Sequence, residues 1–531
     1  MPTASARTCS CAAGPVRRIR PTWRWTFWAG RGRLDHVVAP PGSVKAASVR
    51  LDEPGGRWVL VVTAAGSGLV LLEATVVNVA LPALQRNLDA SMAGLQWTVN
   101  AFTLTLSALI LLGGGLGDRF GRRRVYLVGL VWFAAASLLC GMAPSLEWLI
   151  AGRALQGIGG AMVVPGSLAL IQASFHPDYR ARAIGWWSGM SGMAGAAGPL
   201  LGGTLVDAAG WRWVFLVNVP IAAVLAVLLV VHVPESRHDG LSGRFDVAGA
   251  VLAALALGAM SHALIQAIDT PVSASFAALL GVVVAVAFVW VERRARDPML
   301  PLGLFASRPF SVANLASFFL YGGLAGLFFL MPIQLQVTAG YTTLAAGLAL
   351  LPLTVLTLVL SARGGALTKR AGPRVPLAAG ALLCGFALVL ATRVGRDASY
   401  LTDVLPVVCL VGIGIPLITP PITATVLSAV PDARAGIASA VGNGVARAAG
   451  LVIVAALPLL AGLPQDAASN PAELDRGFDA GMLICAGLFV AGGLIVWFGV
   501  RRPAKVPDEP ISRHHWTGCP QLASGVADAD R

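Results

Sequence analysis

Between residues 58 and 500 the chain reads as fourteen apolar runs of about 18–25 residues, separated by short polar turns. A run of that length spans the hydrocarbon of a bilayer when helical. No water is available there to satisfy a backbone amide, so each run must close its hydrogen bonds internally. The expected fold class is an all-α integral membrane protein with 14 transmembrane helices.

Composition narrows the function classes. Of the 531 residues, 56% are hydrophobic and only 12% are charged, where a soluble protein carries about a quarter. The net charge of +13 invites a nucleic-acid partner. The arginines, however, sit in short loops and tails, and no soluble basic domain is present to bind one. Nucleic acid is excluded as a partner, and a lipid bilayer is required. Cys140, Cys384, Cys409 and Cys485 fall within apolar runs, where a free thiol behaves as a small hydrophobe. Cys9-x-Cys11 lacks zinc spacing. Neither metal, cofactor nor disulfide framework is indicated.

Lys and Arg concentrate in the loops after even-numbered runs, four of them within 117–124. Positively charged loops remain cytoplasmic. Both termini are then expected on the cytoplasmic side of the inner (plasma) membrane.

The loop after the second run reads GGGLGDRFGRRR over 113–124. Its Gly114, Leu116, Asp118, Arg119, Gly121, Arg122 and Arg123 resemble the G-x-L-x-D-R-x-G-R-R loop of the major facilitator superfamily. A diluted copy, Gly365, Leu367, Arg370, Gly372 and Arg374, lies 251 positions later. Ala-Arg-Ala recurs likewise at 181–183 and 433–435. The repeat and the resemblance imply two pseudo-symmetric six-helix halves, 58–232 and 310–500, with an inserted helix pair and its loops at 233–309 (6+2+6). Polar tails cover 1–57 and 501–531; the first is either disordered or a start assigned too far upstream. Asp118 is expected to accept bonds from amides at a helix start, with Arg119, Arg122 and Arg123 tied to neighbouring helix ends. Together with Gly114 and Gly121 they would form a gating latch.

Four further stretches carry the resemblance closer. Leu72-Glu73-Ala74-Thr75-Val76-Val77-Asn78-Val79-Ala80-Leu81-Pro82 looks like the L-D-x-T-x-V-N-V-A-L-P signature of 14-span drug:proton antiporters of the EmrB/QacA type, with Glu73 for the usual aspartate. A charged carboxylate at that depth costs about 2.5–3.5 kcal/mol on insertion scales, so Glu73 is expected to face a cavity. Arg153, Gln156, Gly157 and Gly159 resemble the R-x-x-Q-G-x-G motif of the superfamily, linked there to proton transfer. Arginine stays charged at any working pH, so Arg153 would bias Glu73 rather than carry the proton itself. Both fall in the outer half of the membrane and are expected to be neighbours. Gly185, Gly198, Pro199, Gly202 and Gly203 match the antiporter motif of span 5, with Ala194 for one glycine. Small residues there allow close helix approach, and the proline bends the helix. Trp211-Arg212-Trp213-Val214-Phe215-Leu216-Val217-Asn218-Val219-Pro220 resembles the entry to span 6, and is read as a family mark made of interfacial anchors.

In the second half, Asn443, Arg447 and Gly450 resemble an N…R-x-x-G element, with Ala448 where glutamine is usual. Asn78, Gln156 and Arg447 are further intramembrane candidates by depth alone. His262, Asp269 and Asp207 are read as packed or interfacial.

The resemblance implies a secondary transporter, not an enzyme. The implied activity is proton-coupled export of a small amphipathic compound by alternating access, with protons as co-substrate and a monomer as the working unit. An uptake symporter, or an exporter of one metabolite or self-made antibiotic, would share the fold.

Overall fold

The computed structural model describes residues 53–236, 246–295, 298–431 and 435–500. The tails, and Ala433 and Arg434 of the second Ala-Arg-Ala, lie outside those residues.

The described chain is all-helical. It opens with α1 (Pro54–Leu88), α2 (Met92–Phe120), α3 (Arg122–Gly141), α4 (Leu146–Ser174) and α5 (Pro177–Ala209). Next come α6 (Arg212–Leu216) and α7 (Asn218–His232), which share one span, then α8 (Val247–Ile265) and α9 (Pro271–Arg294). α10 (Arg308–Val337) is followed by the broken pair α11 (Thr343–Ala349) and α12 (Leu351–Ala371). α13 (Arg374–Ala391), α14 (Leu405–Ser428), α15 (Ala435–Leu460) and α16 (Pro471–Gly499) complete the chain.

Among the described residues, 13 helical stretches are long and apolar enough to cross a membrane. The difference from the fourteen expected lies at the fifth run. α5 is a helix of 33 residues, but its glycines, alanines and serines dilute the apolarity. The property that lets it pack closely is what weakens its hydropathy.

Helix ends follow local chemistry. The Ser91 and Ser145 hydroxyls accept from the amides of Gly94 and Trp148, capping α2 and α4. Gly121 (φ 105°) and Gly372 (φ 74°) take conformations that only glycine adopts freely. They stand 251 positions apart at matching junctions, which is the spacing of the sequence echo.

Packing falls into groups. α1 lies against α5, and α4 lies against both α2 and α3. α10 packs on α15 and α16, α12 on α14, and α13 on α14 and α16. α8 and α9 pair with each other, while α8 also touches α2 and α15.

Among the described residues, each hydrogen bond from α1–α7 to the chain beyond α9 lies toward the Asp89 and Gln465 end. Gln96 Nε2 donates to the carbonyls of Val454 (2.7 Å) and Ala455 (2.9 Å). Asn100 Nδ2 donates to Leu451 (3.3 Å), and Gln336 Nε2 to Val79 (2.9 Å). The Met92 and Ala93 amides donate to the Gln465 carbonyl and side chain, and Leu344 N to Asp207. Among the described residues, no crossing hydrogen bond of this kind lies at the opposite end, which bears Gly121 and Gly372.

Candidate functional site

The motif of α4 places Arg153 and Gln156 one turn apart on one face. Gly157 then lets α2 approach: a Cβ there would run into Thr105 Oγ1 and the Phe102 carbonyl. The Thr105 hydroxyl meanwhile donates to the Ala154 carbonyl at 2.8 Å. This contact brings Arg153 against α2, where its Nε donates to the Thr98 carbonyl (3.0 Å) and its guanidinium lies 4.4 Å from the Phe102 ring centroid.

On its other side Arg153 Nη1 meets Glu73 Oε1 of α1 at 2.6 Å. Nη1 also donates to Gln156 Oε1 at 2.6 Å, and Gln156 Nε2 passes a bond to Ser137 Oγ of α3 at 2.7 Å. The second carboxylate oxygen, Glu73 Oε2, accepts from Asn218 Nδ2 at 2.6 Å. Asn218 opens α7 just past the break after α6, and that break aims it inward.

Burial is complete, with Glu73 0% and Arg153 1% exposed. Glu73 and Arg153 are in contact, as their shared depth led one to expect. The expectation that Glu73 would face a cavity is not met: both its oxygens are enclosed by protein donors. Satisfying a buried charge with a cation and an amide substitutes for water. One polar atom of the cluster is left over, since Asn218 Oδ1 is buried without a partner.

The span 5 motif splits between two faces of α5. A Cβ at Gly198 would overlap Thr75, and one at Gly202 would press on Val76, so α1 fits tightly here. The Thr75 hydroxyl closes this seam by donating to the Gly195 carbonyl at 2.8 Å. Gly203 instead faces Leu344, and Pro199 faces Gly347 of α11. Gly185 has open space around it.

The arginine loop forms a tie, but with a different acid at its centre. Asp118 accepts from Arg122 across one turn, Nη2 at 2.8 Å and Nε at 2.9 Å. It is therefore not the acceptor for amides at a helix start. Glu235, just past α7, has that role: its carboxylate accepts from the Arg123 and Arg124 amides at 3.0 and 3.2 Å. Asp118 precedes the turn and is spent on its neighbour, whereas Glu235 arrives from the far end of span 6 to cap α3. Arg123 Nη1 donates to the Val233 carbonyl at 3.0 Å, and the Arg122 amide to that of Ser236 at 2.9 Å. Gly121 sits where a Cβ would press on the Glu235 carboxylate. Arg119 stacks near Phe120, and a Cβ at Gly114 would reach ordinary contact with Pro165.

Two candidates stand apart. Asn78 donates within its own helix, to Ala74 O at 3.4 Å, and its Oδ1 is buried without a partner. Arg447 lies on α15, away from the ion pair. Asn218, Ser137 and Glu235 were not singled out by sequence reasoning for these roles. Asn218 had a signal, an intramembrane amide in a fixed N-x-P context, that was read as a family mark alone.

An all-helical membrane body with an ion pair sealed between its helices has the build of a transporter, not an enzyme. The chain belongs to the Major Facilitator Superfamily, whose model matches residues 63–455, and is a multi-pass membrane protein. It is 36% identical over 501 residues to the puromycin resistance protein pur8 of Streptomyces alboniger, covering 90% of this chain and 97% of that one. It is 37% identical over 386 residues to the multidrug resistance protein Stp of Mycobacterium tuberculosis, covering 72% and 71%. The tetracenomycin C resistance and export protein of Streptomyces glaucescens is 33% identical over 412 residues, covering 76% of each. Among solved structures, a bacterial homologue of the human lysosomal transporter Spinster matches with a TM-score of 0.62 at 16% identity, covering 84% and 97%. A D-xylose–proton symporter matches at 0.60 and 15%, covering 84% and 98%. At such identities the structures attest the fold alone.

Proposed function

We propose that this protein exports small amphipathic compounds, antibiotics among them, in exchange for protons, from the cytoplasm across the plasma membrane. The observation that carries the proton coupling is the sealed Glu73, whose two oxygens are held by Arg153 and Asn218. The printed functions of the resistance relatives support the cargo class.

The packing supports a division into working parts. Spans 1–6 and 9–14 act as two halves, and spans 7–8 are an inserted pair at their seam. Crossing bonds confined to the Asp89 end correspond to an outward-closed, inward-open state, given that arginine-rich loops lie in the cytoplasm. In this state Glu73 is ionised and locked. Opening outward exposes it to protons. Protonation removes the charge that Arg153 answers, and the Asn218 amide turns to offer its spare Oδ1 to the new O–H. One inward proton then supplies roughly 2.3 kcal/mol per 100 mV of membrane potential. The flat glycine face of α5 slides on α1 and α11, the Gly121–Glu235 tie holds the cytoplasmic end of the first half, and a monomer suffices.

The deciding measurement is drug-induced proton release in inverted vesicles, comparing wild type with Glu73→Gln. Release by wild type and none by the variant is expected. Equal release by both would remove Glu73 from the coupling, and no release with any drug of a broad panel would remove antiport itself.

A further inference from the structure

Arg447 is a cation for which the ion-pair site has no use. It lies midway along α15, and its Nε is buried with no hydrogen-bond partner. Among the described residues it forms no ion pair. Arg153 is the contrast within the same molecule, since each side of that guanidinium is met. Arg447 is half-buried, and a buried N–H left without a partner is destabilising. An arrangement of that kind suits a site whose counter-anion arrives with a ligand.

A cavity lies beside it. Asn443, one turn before Arg447, and the adjacent Ala446 line an open cavity of about 100 Å³ between α10, α14 and α15, at whose edge Arg447 follows in sequence without itself lining the wall. Ser317, Tyr321, Thr423 and Ser439 add hydroxyl-bearing side chains, and Ile422, Val426 and Leu427 make the apolar part of the wall. Helical side chains lean toward the N-terminus of their helix, which carries the guanidinium toward Asn443 and the cavity. Asn443 itself is exposed. One turn in the other direction the helix is shut, because Leu451 is buried and its carbonyl takes the Asn100 bond. The cavity therefore lies on the side that opens toward the Gly121 and Gly372 end.

We propose that Arg447 is the anion-recognition point of the cargo site, selecting amphipathic compounds that carry an ionised carboxylate. The planar fork of arginine meets a carboxylate through two parallel bonds. The cavity holds the acid and its first carbons, while the apolar remainder of the cargo extends into the cleft. This assignment rests on the export reading for its cargo but not for its test.

The test is equilibrium binding to the purified full-length chain. Naphthaleneacetate and its neutral primary amide are titrated calorimetrically at fixed salt. Wild type is expected to bind the acid tighter than the amide by on the order of tenfold. Arg447→Gln is expected to erase that preference while leaving amide affinity within about twofold, and Arg447→Lys to keep part of it. Equal affinity of wild type for acid and amide overturns the assignment, and needs no variant to fold. Retention of the preference in a folded Arg447→Gln protein overturns it as well. Loss of vesicle export with the acid preference intact would instead sink the export reading and leave this one standing.

Discussion

Asn218 and Glu73, 145 positions apart, are joined by a 2.6 Å hydrogen bond from the amide to Oε2. The bond completes the shell that Arg153 begins. Asn218→Ala leaves that oxygen without its donor in a dry site. Hydrogen bonds to charged groups contribute about 1.5–3 kcal/mol, so drug-induced proton release in inverted vesicles should fall by roughly tenfold or more. Asn218→Ser, which restores a donor, should recover part of it. Unchanged exchange in Asn218→Ala would make the residue a spectator.

The ion pair itself is expected to show in thermal unfolding. Arg153→Met strands the Glu73 carboxylate, and breaking one side of a buried pair costs about 3–5 kcal/mol. Glu73→Gln with Arg153→Met removes both charges and should melt well above the single Arg153→Met variant in the same detergent. If the double variant melts no higher than the single, the two residues are not energetically coupled.

The glycines of α5 should divide. Gly185→Ala meets open space and should be neutral, or stabilising by up to about 1 kcal/mol through helix propensity. Gly198→Ala drives a methyl group into Thr75 and should destabilise by about 1–3 kcal/mol. Thermal shift and transport rate, measured on both, separate a packing seam from a general tolerance of small residues.

At the arginine loop, Glu235→Gln weakens the cap on α3, with an expected loss of about 0.5–2 kcal/mol. Asp118→Asn should lose less, because its partner Arg122 is one turn away and the Asp118 side chain is 36% exposed. A larger effect at Asp118 than at Glu235 in unfolding of the detergent-solubilised protein would reverse the roles assigned here.

Much of this was readable in advance, and the reasons for the remainder are physical. The apolar runs dictated helices, because hydrocarbon allows the backbone little else. Opposed directions of spans 1 and 4 placed Glu73 and Arg153 at one depth, and motif chemistry paired them. Asn218 and Ser137 were out of reach, since their contacts depend on how far α7 and α3 rotate about their own axes. Glu235 displaced Asp118 for a related reason. A motif shows which residues a loop contains, but the acid that caps α3 is delivered by another helix. The fifth run shows the opposite limit, for a helix chosen for smoothness carries a weak apolar signal.

The closure near Asp89 is made by Gln96, Asn100, Gln336 and Gln465, neutral amides bonded to backbone groups. Asp207, two residues from the end of α5, is the one charged member among the described residues. Parting neutral amides from carbonyls displaces no net charge along the membrane normal. An elementary charge carried across the field feels about 2.3 kcal/mol per 100 mV, so a closure of ion pairs would be pulled by every change in potential. This one would open electrically silent, leaving voltage to act on the proton at Glu73 and on whatever charge the cargo brings.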